Sequence, residues 1–134
     1  MRFTRRDFVV KTGATVLAAV ATGCASMEPT AGGGTQMYGL IGKMKVVPGQ
    51  RDALIAILLD GVGGMPGCLS YIVAQDPADA DAVWVTEVWD SQDSHKASLS
   101  LPSVQQAISR GKPLIAGFGE HFETAPVGGH GLHV

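Results

Sequence analysis

The chain has 134 residues, 46% of them hydrophobic, with ten Lys and Arg against twelve Asp and Glu for a formal charge of −2. That length suits one domain around one core, and the acidic balance excludes the basic surface that nucleic acid or anionic headgroups require. Two cysteines, Cys24 and Cys68, exclude a disulfide-rich scaffold.

Residues 1–24 read as an address. Arg2, Arg5 and Arg6 precede a mildly apolar run from Thr12 to Ala21, too short for a spanning helix, which takes roughly 20 apolar residues. Thr4-Arg5-Arg6-Asp7-Phe8-Val9 resembles the twin-arginine export signal. Ala21-Thr22-Gly23-Cys24 resembles a lipobox, with Ala21 where Leu is usual, and makes Cys24 the candidate lipidated residue. The expectation is export by the twin-arginine route to the periplasm or cell envelope, with membrane contact only through an N-terminal lipid anchor. After Cys24 six basic and eleven acidic residues remain, a formal balance of −5, and Cys68 is the one thiol left.

Residues 25–36, ASMEPTAGGGTQ, read as a flexible linker. The folded domain is expected over 37–125. Tyr38, Leu40, Met44 and Val46 alternate along a half-buried strand that Pro48-Gly49 ends. Gln50 to about Asp60 carries Leu54, Ile55, Ile57, Leu58 and Leu59 on a broad apolar face, an amphipathic helix stopped by Gly61, Gly63, Gly64, Pro66 and Gly67. Cys68 to Gln75 is the second strand, and Asp76 to Asp81 turns the chain into the third.

That third strand, Val83 to Trp89, contains neither Gly nor Pro and is rich in β-branched and aromatic residues. Period-two alternation places Val83, Val85, Glu87 and Trp89 on one face and Trp84, Thr86 and Val88 on the other. A helix follows, with Asp90 or Ser91 as N-cap and Asp93 in its first turn. Pro102 opens a further helix to about Arg110, capped by Gly111, and Pro113 prevents its return. Phe118 to Thr124 is the last strand, interrupted on its approach by Gly117 and Gly119, and residues 126–134 form a Gly/His-rich tail. The order β-α-β-β-α-β predicts an α+β, ferredoxin-like fold: an antiparallel sheet with its helices on one face. The bare face then calls for a second subunit, giving a homodimeric α/β barrel.

Tyr71, Trp84, Trp89, Glu87, His95 and Ser98 are the residues with chemistry to offer. A flat aromatic face packs against a ring substrate, and Tyr71 adds a hydroxyl. His95 lies near a helix N-terminus, whose dipole disfavours the imidazolium and keeps the ring a proton acceptor. Ser98 follows three residues later, on the same helical face. Glu87 inside an apolar strand needs a partner, and the expectation is a structural or subunit-interface pairing with Arg51, Arg110 or Lys112. Cys68 reads as a small buried hydrophobe. His121, His130 and His133 come with no Cys or paired acid to complete a ligand set, so no metal site is expected.

The opening strand ending in Val47-Pro48-Gly49, then Pro66-Gly67-Cys68, Thr86-Glu87-Val88-Trp89-Asp90-Ser91, Lys96-Ala97 and Leu101-Pro102 resemble the antibiotic biosynthesis monooxygenase domain, to which quinol monooxygenases belong. The resemblance covers about 37–125. It implies a dimeric barrel that oxidises a small phenolic, anthrone or quinol substrate with molecular oxygen as co-substrate and no flavin or metal cofactor. Many relatives carry histidines nine and fourteen residues after the tryptophan that corresponds to Trp89, where this chain has Ser98 and Ser103, so the base role falls to His95. The haem-degrading branch uses an axial histidine late in the helical region and an asparagine on the first strand. This chain has Ala107 and Ile108 there and no Asn at all, so haem degradation is not expected. The other readings are a non-catalytic dimeric barrel that binds a small aromatic or quinone, and a cofactor-free isomerase.

Overall fold

The computed structural model describes residues 36–132. The readings placed on the export signal, Cys24, the linker and His133 lie outside those residues. Eight elements follow one another: β1 Tyr38–Val46, α1 Arg51–Gly61, β2 Cys68–Gln75, β3 Ala82–Trp89, α2 Gln92–Ser98, α3 Pro102–Gly111, a 3-10 turn Lys112–Leu114, and β4 Ile115–Thr124. The strands form one sheet in the order β2-β3-β1-β4 with every neighbouring pair antiparallel. That is the ferredoxin-like arrangement. The sheet does not close on itself, because β2 and β4 are its edges.

The alternation along β3 sorts its residues as the pattern requires. Val83, Val85 and Trp89 are buried beneath the helices, and Val46, Leu54 and Val83 form the core, with Met44, Ile55, Leu58, Leu114 and Ile115 packed around it. Trp84 points to the opposite side, which carries no helix among the described residues. There its Nε1 donates to Asp76 Oδ2 at 3.0 Å, and Lys43 Nζ lies 5.5 Å from its ring centroid and 2.7 Å from the same carboxylate oxygen. Ile72, Thr86, Ile41 and Phe122 make one cross-strand row on that side.

Local geometry departs from the sequence pattern at three places. β4 begins at Ile115, three residues before the expected start. Gly117 pairs with Lys45, and Gly119 leaves room for the Lys43 side chain, which a Cβ there would meet at 3.2 Å. Gly117 therefore sits inside the ladder, and Gly119 lies in the irregular stretch between the Phe118 and His121 pairings, where the register shifts between Gly42 and Met44 of β1. Gly111 is the last residue of α3 and has no left-handed backbone. Its missing side chain lets α3 approach Leu54, whose Cδ1 would lie 3.2 Å from a Cβ. Ser91, the candidate N-cap beside Asp90, caps α2: its Oγ accepts from Ser94 N at 3.1 Å. Gly67, at φ +80°, lets the turn before β2 lie against that cap.

Candidate active site

Between the helices and the sheet lies a cavity of about 480 Å³. Its walls come from β1, α1, β2, β3, α2, α3 and β4, and it opens to solvent on one side. Tyr71, Glu87, Trp89, His95 and Ser98 line it together. Five residues from β2, β3 and α2 thus converge because β2 pairs with β3, setting Tyr71 opposite Glu87, and because α2 folds back directly after Trp89.

Glu87 holds this end together. Its Oε2 accepts the Trp89 Nε1 hydrogen at 2.8 Å, and His95 Nε2 lies 3.9 Å from the same oxygen. The separation is too long for a hydrogen bond and close enough for a carboxylate to offset charge that the ring gains on taking a proton. The His95 ring is packed on two sides, with ring centroids of Tyr38 and Trp89 each 5.4 Å away. Tyr38 in turn donates to Glu123 Oε1 at 2.9 Å, and burial, followed by that bond, pushes its hydroxyl up. Tyr71 is pushed far above the ordinary tyrosine range, by burial first and then by the Glu87 charge. A hydroxyl so placed keeps its proton and can donate it in a hydrogen bond. Ser98 Oγ donates to His95 O at 2.6 Å, so only its lone pairs face a ligand.

Several expectations need correcting on this geometry. Within one chain Glu87 pairs with Trp89 and faces His95, and not Arg51, Arg110 or Lys112. Arg51 NH1 donates to the carbonyls of Asp76 and Asp79 in the β2–β3 turn, and Arg110 pairs with Asp60 at 3.1 Å. Trp84 is not among the cavity-lining residues, because the alternation that brings Glu87 and Trp89 inside sends it to the bare face. His95 is the middle residue of the seven-residue α2, as close to its first turn as to its last, and the facing Glu87 carboxylate and two aromatic rings are its surroundings. Cys68 is half-buried and lies outside the cavity, its thiol pushed up by burial. Tyr38 and Phe118 were not singled out as site residues. The register supplies the missing signal, since Tyr38 pairs with Trp89 and Phe118 with Met44.

The remaining walls are Met44, Leu54, Leu58, Val62 and Met65, with Leu99, Val104, Ala107, Ile108, Ile115 and Phe118 beyond them. Lys112, exposed beside Gly111, is the one cation among the lining side chains apart from the titratable His95. Among the described residues no three His, Cys, Asp or Glu come together as a metal-ligand set, and no helix is long and apolar enough to cross a membrane.

A ferredoxin-like sheet roofed by helices, with an apolar cavity between them whose carboxylate, imidazole and phenol gather at one end, is an α+β domain with a pocket of the size small molecules occupy. The chain belongs to the antibiotic biosynthesis monooxygenase family, whose model matches residues 37–110. A crystal structure from Chloroflexus aurantiacus J-10-fl, assigned to that family, is 73% identical over 72% of this chain and 99% of its own, with a TM-score of 0.71. One from Caulobacter crescentus CB15 is 22% identical over 71% of this chain and 93% of its own, with a TM-score of 0.64. A Pseudomonas aeruginosa protein is 22% identical over 72% and 100%, with a TM-score of 0.62. The last two speak to the fold alone. No curated protein matches the chain.

Proposed function

We propose that this protein is a cofactor-independent monooxygenase that oxidises a quinol-like or phenolic ring with molecular oxygen. The observation that carries the reading is the His95–Glu87 pair, 3.9 Å apart, at the polar end of a chamber otherwise walled by apolar side chains. Oxygen takes electrons readily from a phenolate and poorly from a phenol, so such a site needs a base and a water-poor pocket.

His95 Nε2 accepts the phenolic proton, and Glu87 offsets the charge the ring acquires. Tyr71, kept protonated, donates to a substrate oxygen, and Trp89 packs against the ring. The phenolate then gives electrons to oxygen, and a ring carbon bonds to it as a peroxide that takes its proton back from His95. Loss of water breaks the O–O bond and the C–H bond at that carbon, leaving a carbonyl. For a simple quinol the balance is quinol plus O2 giving hydroxyquinone plus water, with all four electrons drawn from the substrate.

The Ile72–Thr86–Ile41–Phe122 row supports a homodimer, since Ile72 and Phe122 are 55% and 54% exposed on a sheet face that no helix of the described residues covers. Twin-arginine export and lipidation at Cys24 complete the reading, and an unchanged membrane fraction for Cys24→Ala would remove the anchor. Turnover under labelled O2 tests the chemistry: one labelled atom in the product and one in water is expected. A product that forms without oxygen would point to an isomerase, and saturable binding without turnover to a carrier.

A further inference from the structure

Polarity is distributed along the cavity in one direction. Glu87 lies opposite Leu40 on β1 and Ile115 opposite Val46, so the two ends are six strand positions, roughly 20 Å, apart along β1. Tyr71, Glu87, Trp89, His95 and Ser98 occupy the first end; Met44, Leu54, Ile115 and Phe118 line the second. Leu99, Ile108 and Phe118 line the cavity and yet are 44%, 46% and 76% exposed, so they form an apolar rim where it meets solvent. Lys112, also exposed, is the one charged group away from the first end.

We propose that the cavity takes an amphipathic ring: a hydroxylated aromatic head held by Glu87, His95 and Tyr71, carrying an alkyl or prenyl chain that runs past Met44 and leaves between Ile108 and Phe118. This rests on the monooxygenase reading for its head group and adds the chain. A polyoxygenated polycycle fits poorly, because oxygen atoms spread along it would be buried against apolar walls without hydrogen-bond partners. A bare monocyclic quinol leaves the apolar end unused.

The test is an anaerobic calorimetric titration of the purified chain with 1,4-hydroquinones bearing n-alkyl chains of increasing length, beside a hydroxylated anthrone. Binding tightens about fourfold per added methylene until the chain reaches the rim, and that dependence is shallower in Ile108→Ser and Phe118→Ser, both at exposed positions whose change leaves the circular dichroism spectrum intact. Affinity indifferent to chain length, or an anthrone that outcompetes every alkyl quinol, would overturn the proposal. So would a chain-length dependence unaltered in both folded variants. Tightening with chain length, with no oxygen uptake when the same quinols are offered in aerated buffer, supports the ligand class and contradicts the oxygenase reading; uptake there with binding indifferent to chain length does the reverse.

Discussion

A single carboxylate oxygen organises the candidate site. Glu87 Oε2 receives the buried Trp89 N–H and faces His95, so removing it has two separable consequences. Glu87→Leu leaves the indole N–H without an acceptor and lowers stability by about 1–3 kcal/mol, measurable by urea denaturation. Glu87→Gln keeps an acceptor and the fold but removes the charge, so kcat falls while KM changes little. Loss of both parameters together in the Gln variant would show that Glu87 merely shapes the pocket. His95→Ala removes the proposed base and is expected to lower kcat by about 10²-fold or more. Much of this was legible in the sequence. The alternation along β3 already grouped Glu87 with Trp89, and His95 with Ser98 on one helical face. What one-dimensional pattern did not show was which face of the sheet the helices cover, and that decides which tryptophan meets the cavity and where Glu87 looks for its partner.

At the scale of elements, turns fix where the strands meet. Gly67 and Gly64 both have positive φ, +80° and +74°, yet a Cβ on Gly67 would lie 2.5 Å from Ser94 Oγ and 2.7 Å from Asp90 Oδ1, while one on Gly64 meets nothing. Gly64→Ala therefore costs only the conformational penalty, about 1–2 kcal/mol. Gly67→Ala costs more, because the turn must also move off the α2 cap; equal losses in chemical denaturation would contradict that packing. In the β2–β3 turn, Lys43, Ala78 N and Trp84 Nε1 all bind the Asp76 carboxylate and hold it well below the usual carboxylate range. A lowered folded value means the contribution is present above the ordinary carboxylate pKa and is lost as pH falls through the folded one. The Tm gap between the natural chain and Asp76→Asn is thus expected to be wide at neutral pH and to shrink under strongly acid conditions. Element boundaries were readable where Pro, Gly and capping residues punctuate the chain, as at Pro102 and Ser91. At β4 the start lies earlier than the pattern suggests, because Gly117 breaks an apolar pattern while still pairing with Lys45, which only the neighbouring strand reveals; Gly119 does interrupt the ladder.

For the molecule as a whole, the sheet has a helix-covered side that holds the chamber and a bare side that carries Ile72 and Phe122. A second copy seated on the bare side would hide that row, so Ile72→Lys is expected to shift the protein from dimer to monomer in analytical ultracentrifugation; a variant that remains dimeric would place the interface elsewhere. The central claim, that the chamber performs oxygenation with His95 as its base, is tested most directly by oxygen uptake of the purified, metal-stripped protein with alkyl hydroquinones, beside His95→Ala. Uptake above autoxidation that survives chelation and collapses in the variant is the result expected. Uptake no faster than autoxidation, or equal in the two proteins, would contradict it.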